Sequence, residues 1–114
     1  MRFKHSIEDC VHLNARIALA DNVVGNLPEP VKRDKHDKAV AKYTYRDWFE
    51  KIAEEVFEAH QAACKNKSGQ LAEELTDVIT VCVSFLNILG YDEKGRGDLY
   101  RKVNQKNLQR GYLE

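Results

Sequence analysis

Four carboxylates raise the first question of chemistry. Glu55 and Glu58 stand three residues apart, and so do Glu74 and Asp77, the latter within Ala72-Glu73-Glu74-Leu75-Thr76-Asp77-Val78. On a helix such spacing places two side chains on one face, one turn apart, where they can converge on a single ion. At about 100° per residue, Trp48, Phe49, Ile52, Val56, Ala59 and Ala63 gather into an apolar arc. Glu55 falls inside that arc and Glu58 at its edge. A second arc holds Leu71, Leu75, Val78, Cys82, Phe85, Leu86 and Leu89, with Val81 and Ile88 extending it. Glu74 lies within it and Asp77 at its margin, while Glu54 and Glu73 point outward. Burying unpartnered carboxylates costs several kcal/mol each, and Lys51 and Lys65 are expected only at the flanks. A hard divalent cation with oxygen ligands, Mg²⁺ or alternatively Mn²⁺, resolves the conflict. One Glu-Glu-x-x-Glu run is common on solvated helices; two, both set into apolar arcs, point to a metal site.

These acids need two long helices side by side. Thr44, with Asp47 at the third helical position, predicts a helix start, and the run continues to about Lys65. The Lys65-Asn66-Lys67-Ser68-Gly69 cluster reads as a short turn. The next helix spans about Ser68 to Leu89 and stops at Gly90. An earlier helix is expected after the cap Ser6, with Ile7, Val11, Asn14, Ile17 and Ala18 on one side. A last helix is expected from near Asp98 to before Gly111, because Gly95 and Gly97 are poor helix formers. Between the first and second helices, Asp21 to Lys42 holds Pro28, Pro30 and the charged run from Lys32 to Lys38, a long connection with a short helix near its end. The expectation is an all-α, four-helix bundle-like single domain over 1–114 that associates as a homodimer or homotetramer.

Composition narrows the function classes. The 114 residues carry 18 Lys+Arg against 18 Asp+Glu, without the basic excess of a nucleic-acid binder. No apolar run is long enough to span a bilayer, and Met1 to Ser6 does not resemble a signal peptide. Three cysteines, Cys10, Cys64 and Cys82, form no Cys-x-x-Cys pair. A cytoplasmic protein with reduced thiols, bound to neither nucleic acid nor membrane, is the expectation.

Glu55-x-x-Glu58 followed by Glu74-x-x-Asp77 resembles the all-α nucleoside triphosphate pyrophosphohydrolases of the MazG-like superfamily. The ending Lys106-Asn107-Leu108-Gln109-Arg110-Gly111-Tyr112 is similar to that family's tail. The resemblance covers roughly Trp48 to Leu113. It implies Glu55, Glu58, Glu74 and Asp77 as Mg²⁺ ligands and catalytic groups. It also implies Lys106, Asn107 and Arg110 beside the substrate phosphates. The family's tail lysine commonly stands four residues before the asparagine; Val103 is there in this chain, and Lys102 one residue earlier. The implied reaction splits a nucleoside triphosphate, canonical, deoxy or modified, into a monophosphate and pyrophosphate. In that family the base-recognising residues come largely from the half that corresponds to the segment preceding Thr44, which matches no usable motif here, so substrate identity does not carry over.

Other residues divide between structure and chemistry. Trp48 reads first as core and second as a stacking platform for a base. His60 reads as a partly buried, hydrogen-bonded residue and Cys82 as packing. The Lys32 to Lys38 run reads as a solvated face, with attraction of a polyphosphate as the minority reading. Two other functions compete with hydrolysis of a nucleoside triphosphate: action on phosphoribosyl-ATP, and a non-catalytic helical interaction module. A di-iron bundle would need Glu-x-x-His on two helices, and the chain has none.

Overall fold

A computed structural model describes residues 27–113, and among these the protein is all-helical. The helix expected after Ser6 lies outside the described residues, as do Cys10 and Asn14. The described chain belongs to two compact units, one of them Leu27–Gly90, with Tyr91 onward in the other.

In Leu27–Gly90, helix α1 runs Tyr45–Cys64 and helix α2 runs Ser68–Ile88. Thr44 caps α1 as its spacing to Asp47 predicts: Asp47 N–H donates to Thr44 Oγ1 at 3.1 Å, and Thr44 N–H donates to Asp47 Oδ2 at 2.9 Å. Such a reciprocal box satisfies two backbone donors that a helix start otherwise leaves open. The turn into α2 is short because Asn66 takes a left-handed conformation, φ 55°, which asparagine tolerates better than most residues. Gly90, at φ 100°, ends the pair.

The core of this unit is small. Val40, Trp48 and Val81 are buried, with Tyr43, Ile52 and Phe85 packed around them. Trp48 lies flat on Phe85, ring centroids 5.0 Å apart, and meets the Tyr43 ring edge-on at 4.9 Å. The long connection is ordered against the hairpin rather than looping away. Val31 N–H donates to Ser84 Oγ at 2.9 Å, and an isolated bridge joins Arg33 to Ala39. A 3₁₀ turn over Val40–Lys42, close to where a short helix was expected, then leads into α1. Tyr43 Oη donates to Asp34 Oδ2 at 2.6 Å. Along α2, Thr76, Thr80 and Ser84 each donate a hydroxyl proton to the carbonyl four residues earlier, at 2.8, 2.9 and 2.6 Å.

The expected apolar arcs are only partly covered. Phe49 is 62% exposed, and Val56, Leu75, Cys82 and Leu89 are also exposed. A helix that packs chiefly on one neighbour buries a stripe narrower than these arcs. Cys82 is therefore not the packing residue expected, and His60 is exposed, with Nε2 3.7 Å from Cys64 Sγ.

In the other unit, helix α3 runs Glu93–Gln109, starting earlier than the glycines suggested. Asp92 is the reason. Its carboxylate accepts from Gly95 N–H at 2.9 Å, so Gly95 falls in a capped first turn and the cap offsets the low propensity of the glycines. Arg96 is buried and donates through Nη1 to Tyr91 O at 2.9 Å. No helix of the described residues is long and apolar enough to cross a membrane.

Candidate active site

The hairpin fold brings the acids together. Glu55 and Glu58 project from α1 and Glu74 from α2, and one carboxylate oxygen of each lies within 4.8 Å of the other two. Glu55 is only 8% exposed, Glu58 and Glu74 are half-buried, and Asp77 is exposed. Asp77 is not in this close group, but it lines the same cavity as Glu55 and Glu58.

Such crowding has an electrostatic signature. Burial, then the charge of Glu55 and a hydrogen bond to it, with Glu74 contributing further, push the Glu58 carboxyl above the ordinary glutamate range. Glu74 Oε2 is buried with no hydrogen-bond partner. An unsatisfied buried acceptor among like charges calls for a cation. The donor set consists of carboxylate oxygens alone, which suits Mg²⁺ or Mn²⁺. Ligands of one octahedral Mg²⁺ lie roughly 3 to 4 Å apart, from the usual bond length of about 2.1 Å. A closest-oxygen spread of 4.8 Å is within reach of that after small side-chain rotations. The residues present therefore fit a hard divalent ion.

The expectation that no cation reaches these acids needs correction. Lys51 Nζ lies 3.1 Å from Glu55 Oε1 and 3.7 Å from Glu54 Oε1. Its Cα sits one turn before Glu55, and its long stem folds inward along the helix. Lys35, from the connection before α1, pairs with Glu54 Oε1 at 3.0 Å, which lowers the Glu54 pKa through that hydrogen bond. Lys38 pairs with Asp47 Oδ2 at 3.4 Å. The basic run remains largely exposed, as expected of a solvated face, while Lys35 and Lys38 pair with acids of α1.

Beside the acids is a cavity of about 350 Å³. Its apolar part comes from Val40, Tyr43, Trp48 and Val81, and its charged part includes Arg33, Lys35 and Lys51 with Glu54, Glu55 and Glu58. Trp48 is 1% exposed and its ring is packed on Phe85, so it fills the core role; its Nε1–H has no acceptor. An apolar wall, facing cations and an acidic cluster can accommodate an organic group that carries a polyphosphate.

The tail residues lie in the second unit. Lys102 and Lys106 are exposed on α3, Asn107 is half-buried near its end, and Arg110 is the exposed C-cap. The sequence arithmetic missed Lys51 and Lys35. Lys51 was legible from its i, i+4 spacing to Glu55; Lys35 depends on the path of the connection and had no local signal.

Comparison with curated proteins returns no match, and neither does comparison with solved structures. The family pattern described as phosphoribosyl-ATP pyrophosphohydrolase matches residues 29–107. That stretch includes all four acids, Lys35, Lys51 and the cavity wall. The chain belongs to the phosphoribosyl-ATP pyrophosphohydrolase family, within the MazG-like all-α superfamily, and is a pyrophosphohydrolase of nucleotide-like substrates.

Proposed function

We propose that the protein is a Mg²⁺-dependent enzyme that hydrolyses a nucleoside triphosphate between its α and β phosphates, releasing a nucleoside monophosphate and pyrophosphate. The observation that carries this reading is the convergence of Glu55, Glu58 and Glu74 within 4.8 Å on a hairpin inside the family match. Glu55, Glu58, Glu74 and Asp77 would hold the metal. When bound, a divalent ion supplies charge neutralisation at the phosphates and a lowered pKa for water. A carboxylate not fully engaged by the ion would accept the proton of the attacking water, and we assign this role to Glu58. Lys35, Lys51 and Arg33 set positive charge along the cavity, where phosphoryl transfer gains most from fixed electrostatics. The phosphate-binding role of Lys102, Lys106, Asn107 and Arg110 rests on the family resemblance.

A second reading has a specific observation in its favour. The family pattern is that of phosphoribosyl-ATP pyrophosphohydrolases, and phosphoribosyl-ATP carries the same triphosphate with a bulkier base-side group. We read 1–114 as one such domain in a cytoplasmic protein, and the exposed Phe49, Phe57, Leu75 and Ile79 support a homodimer or homotetramer. Pyrophosphate release is to be measured over a panel of ribo-, deoxy- and modified triphosphates and phosphoribosyl-ATP, with and without Mg²⁺. Metal-dependent release from one triphosphate group is expected, and the preferred member decides between the readings. A panel that stays intact at micromolar enzyme refutes both.

A further inference from the structure

Three cations line the cavity, and their partners differ in kind. Arg33 Nη1 is engaged by Asp37, through its carbonyl at 2.9 Å and its carboxylate at 3.4 Å. Lys35 is engaged by Glu54 at 3.0 Å. Lys51 alone of the three pairs with one of the three converging acids, at 3.1 Å from Glu55 Oε1. Glu54, its other contact at 3.7 Å, already has Lys35. Lys51 can therefore leave α1's carboxylates without stranding Glu54. Glu55 cannot be left alone, because it is buried beside Glu58 and Glu74.

We propose that Lys51 is a placeholder: it neutralises Glu55 in the metal-free protein, gives Glu55 up when a divalent ion binds, and turns into the cavity toward the substrate's phosphates. The proposal rests on the metal-dependent reading above. Lysine suits the task, being a compact charge on a flexible four-carbon stem rather than a rigid fork. Three consequences follow from one displaced ammonium. Lys51 lowers the affinity of the free protein for divalent ions, because its pair with Glu55 must be broken first. A polyphosphate that attracts Lys51 removes that penalty, so ion and substrate assist each other's binding, reciprocally. Lys51 is then a substrate-binding residue only in the metal-loaded protein.

The test measures Mn²⁺ binding to the full chain without substrate, by the loss of the free-ion electron paramagnetic resonance signal. Lys51→Met is expected to bind Mn²⁺ three- to tenfold more tightly than the parent, while KM for the best triphosphate rises at least tenfold at saturating Mn²⁺. Lys51→Arg, which keeps the charge, is expected to hold Mn²⁺ affinity near the parent's and serves if the Met variant does not fold. Lys35→Met tests for a diffuse effect of lost charge, since the ion pair of Lys35 is with Glu54, which is not one of the three converging acids; its Mn²⁺ affinity is expected to tighten less than that of Lys51→Met. Unchanged or weaker Mn²⁺ binding by Lys51→Met overturns the proposal. So does an equal tightening in Lys35→Met, or tighter binding by Lys51→Arg. Glu55→Gln separates the two levels: if it binds Mn²⁺ like the parent, the metal reading itself fails, whatever Lys51 does.

Discussion

Replacing Glu55 by Gln keeps its shape and removes its charge, and the structure sets the size of each opposing effect. Against Glu58 and Glu74, at separations up to 4.8 Å, each carboxylate pair repels by about 3.5 kcal/mol at an effective dielectric constant of 20. Lys51 at 3.1 Å attracts Glu55 by about 5 kcal/mol on the same scale. With both neighbours ionised, repulsion exceeds attraction by about 2 kcal/mol; with Glu58 protonated, attraction wins by roughly the same amount. The metal-free variant is therefore expected within about 2 kcal/mol of the parent. The metal-linked effect has no such cancellation. At a Mg²⁺ concentration ten times its Kd, the parent gains about 1.4 kcal/mol, a rise of roughly 5 °C in Tm for a domain of this size. The Gln variant is expected to lose this rise and, with it, at least a hundredfold in pyrophosphate release, since residues that merely support metal ligands already matter by about 10- to 100-fold. Scanning calorimetry across a Mg²⁺ titration reads the first effect and a coupled pyrophosphate assay the second. A Gln variant with the parent's full Mg²⁺-dependent rise in Tm would refute the assignment of Glu55 as a ligand.

Further outcomes probe the scaffold. Ser84→Ala removes a fully buried hydroxyl that accepts from Val31 N–H and leaves that donor without its partner, so urea unfolding is expected to show a loss of about 1 to 3 kcal/mol; no loss would mean that the connection is not anchored there. Tyr43 is pushed up to about 12 by burial first and by the Asp34 hydrogen bond second, so its contribution to stability is full below about pH 10 and is lost as pH rises through about 12. Asp34, held at about 2 chiefly by that same hydroxyl, stabilises the fold above its ordinary value of 3.8 and ceases to as pH falls through about 2. Tyr43→Phe is expected to return the Asp34 titration, followed by carboxyl NMR, toward 3.8; an unmoved Asp34 would contradict the pairing.

Much of this arrangement was written locally. Thr44 with Asp47 marked the start of α1, Gly90 marked the end of the pair, and three-residue spacing placed Glu55 and Glu58 on one face of a known period. The convergence of Glu74 with them follows once two amphipathic helices are joined by a turn. Other features depend on distant pairings. Tyr43 with Asp34, Val31 with Ser84 and Lys35 with Glu54 join the connection to the helices, and a charged run carries no periodic signal of where it will land. The last helix shows the opposite error: Gly95 and Gly97 argued against a helix by intrinsic preference, and the Asp92 cap outweighed them.

The turn at Asn66 has one more consequence. Glu55, Glu58 and Glu74 all belong to a single two-helix hairpin closed by that turn, so only a short length of backbone has to be closed to bring them together. Closure of short loops is the cheap and fast part of folding. The carboxylates are therefore expected to meet early in folding, where their mutual repulsion opposes the pairing of the helices that carry them. On the metal-dependent reading proposed above, divalent ions present during refolding are expected to raise the rate of hairpin formation itself.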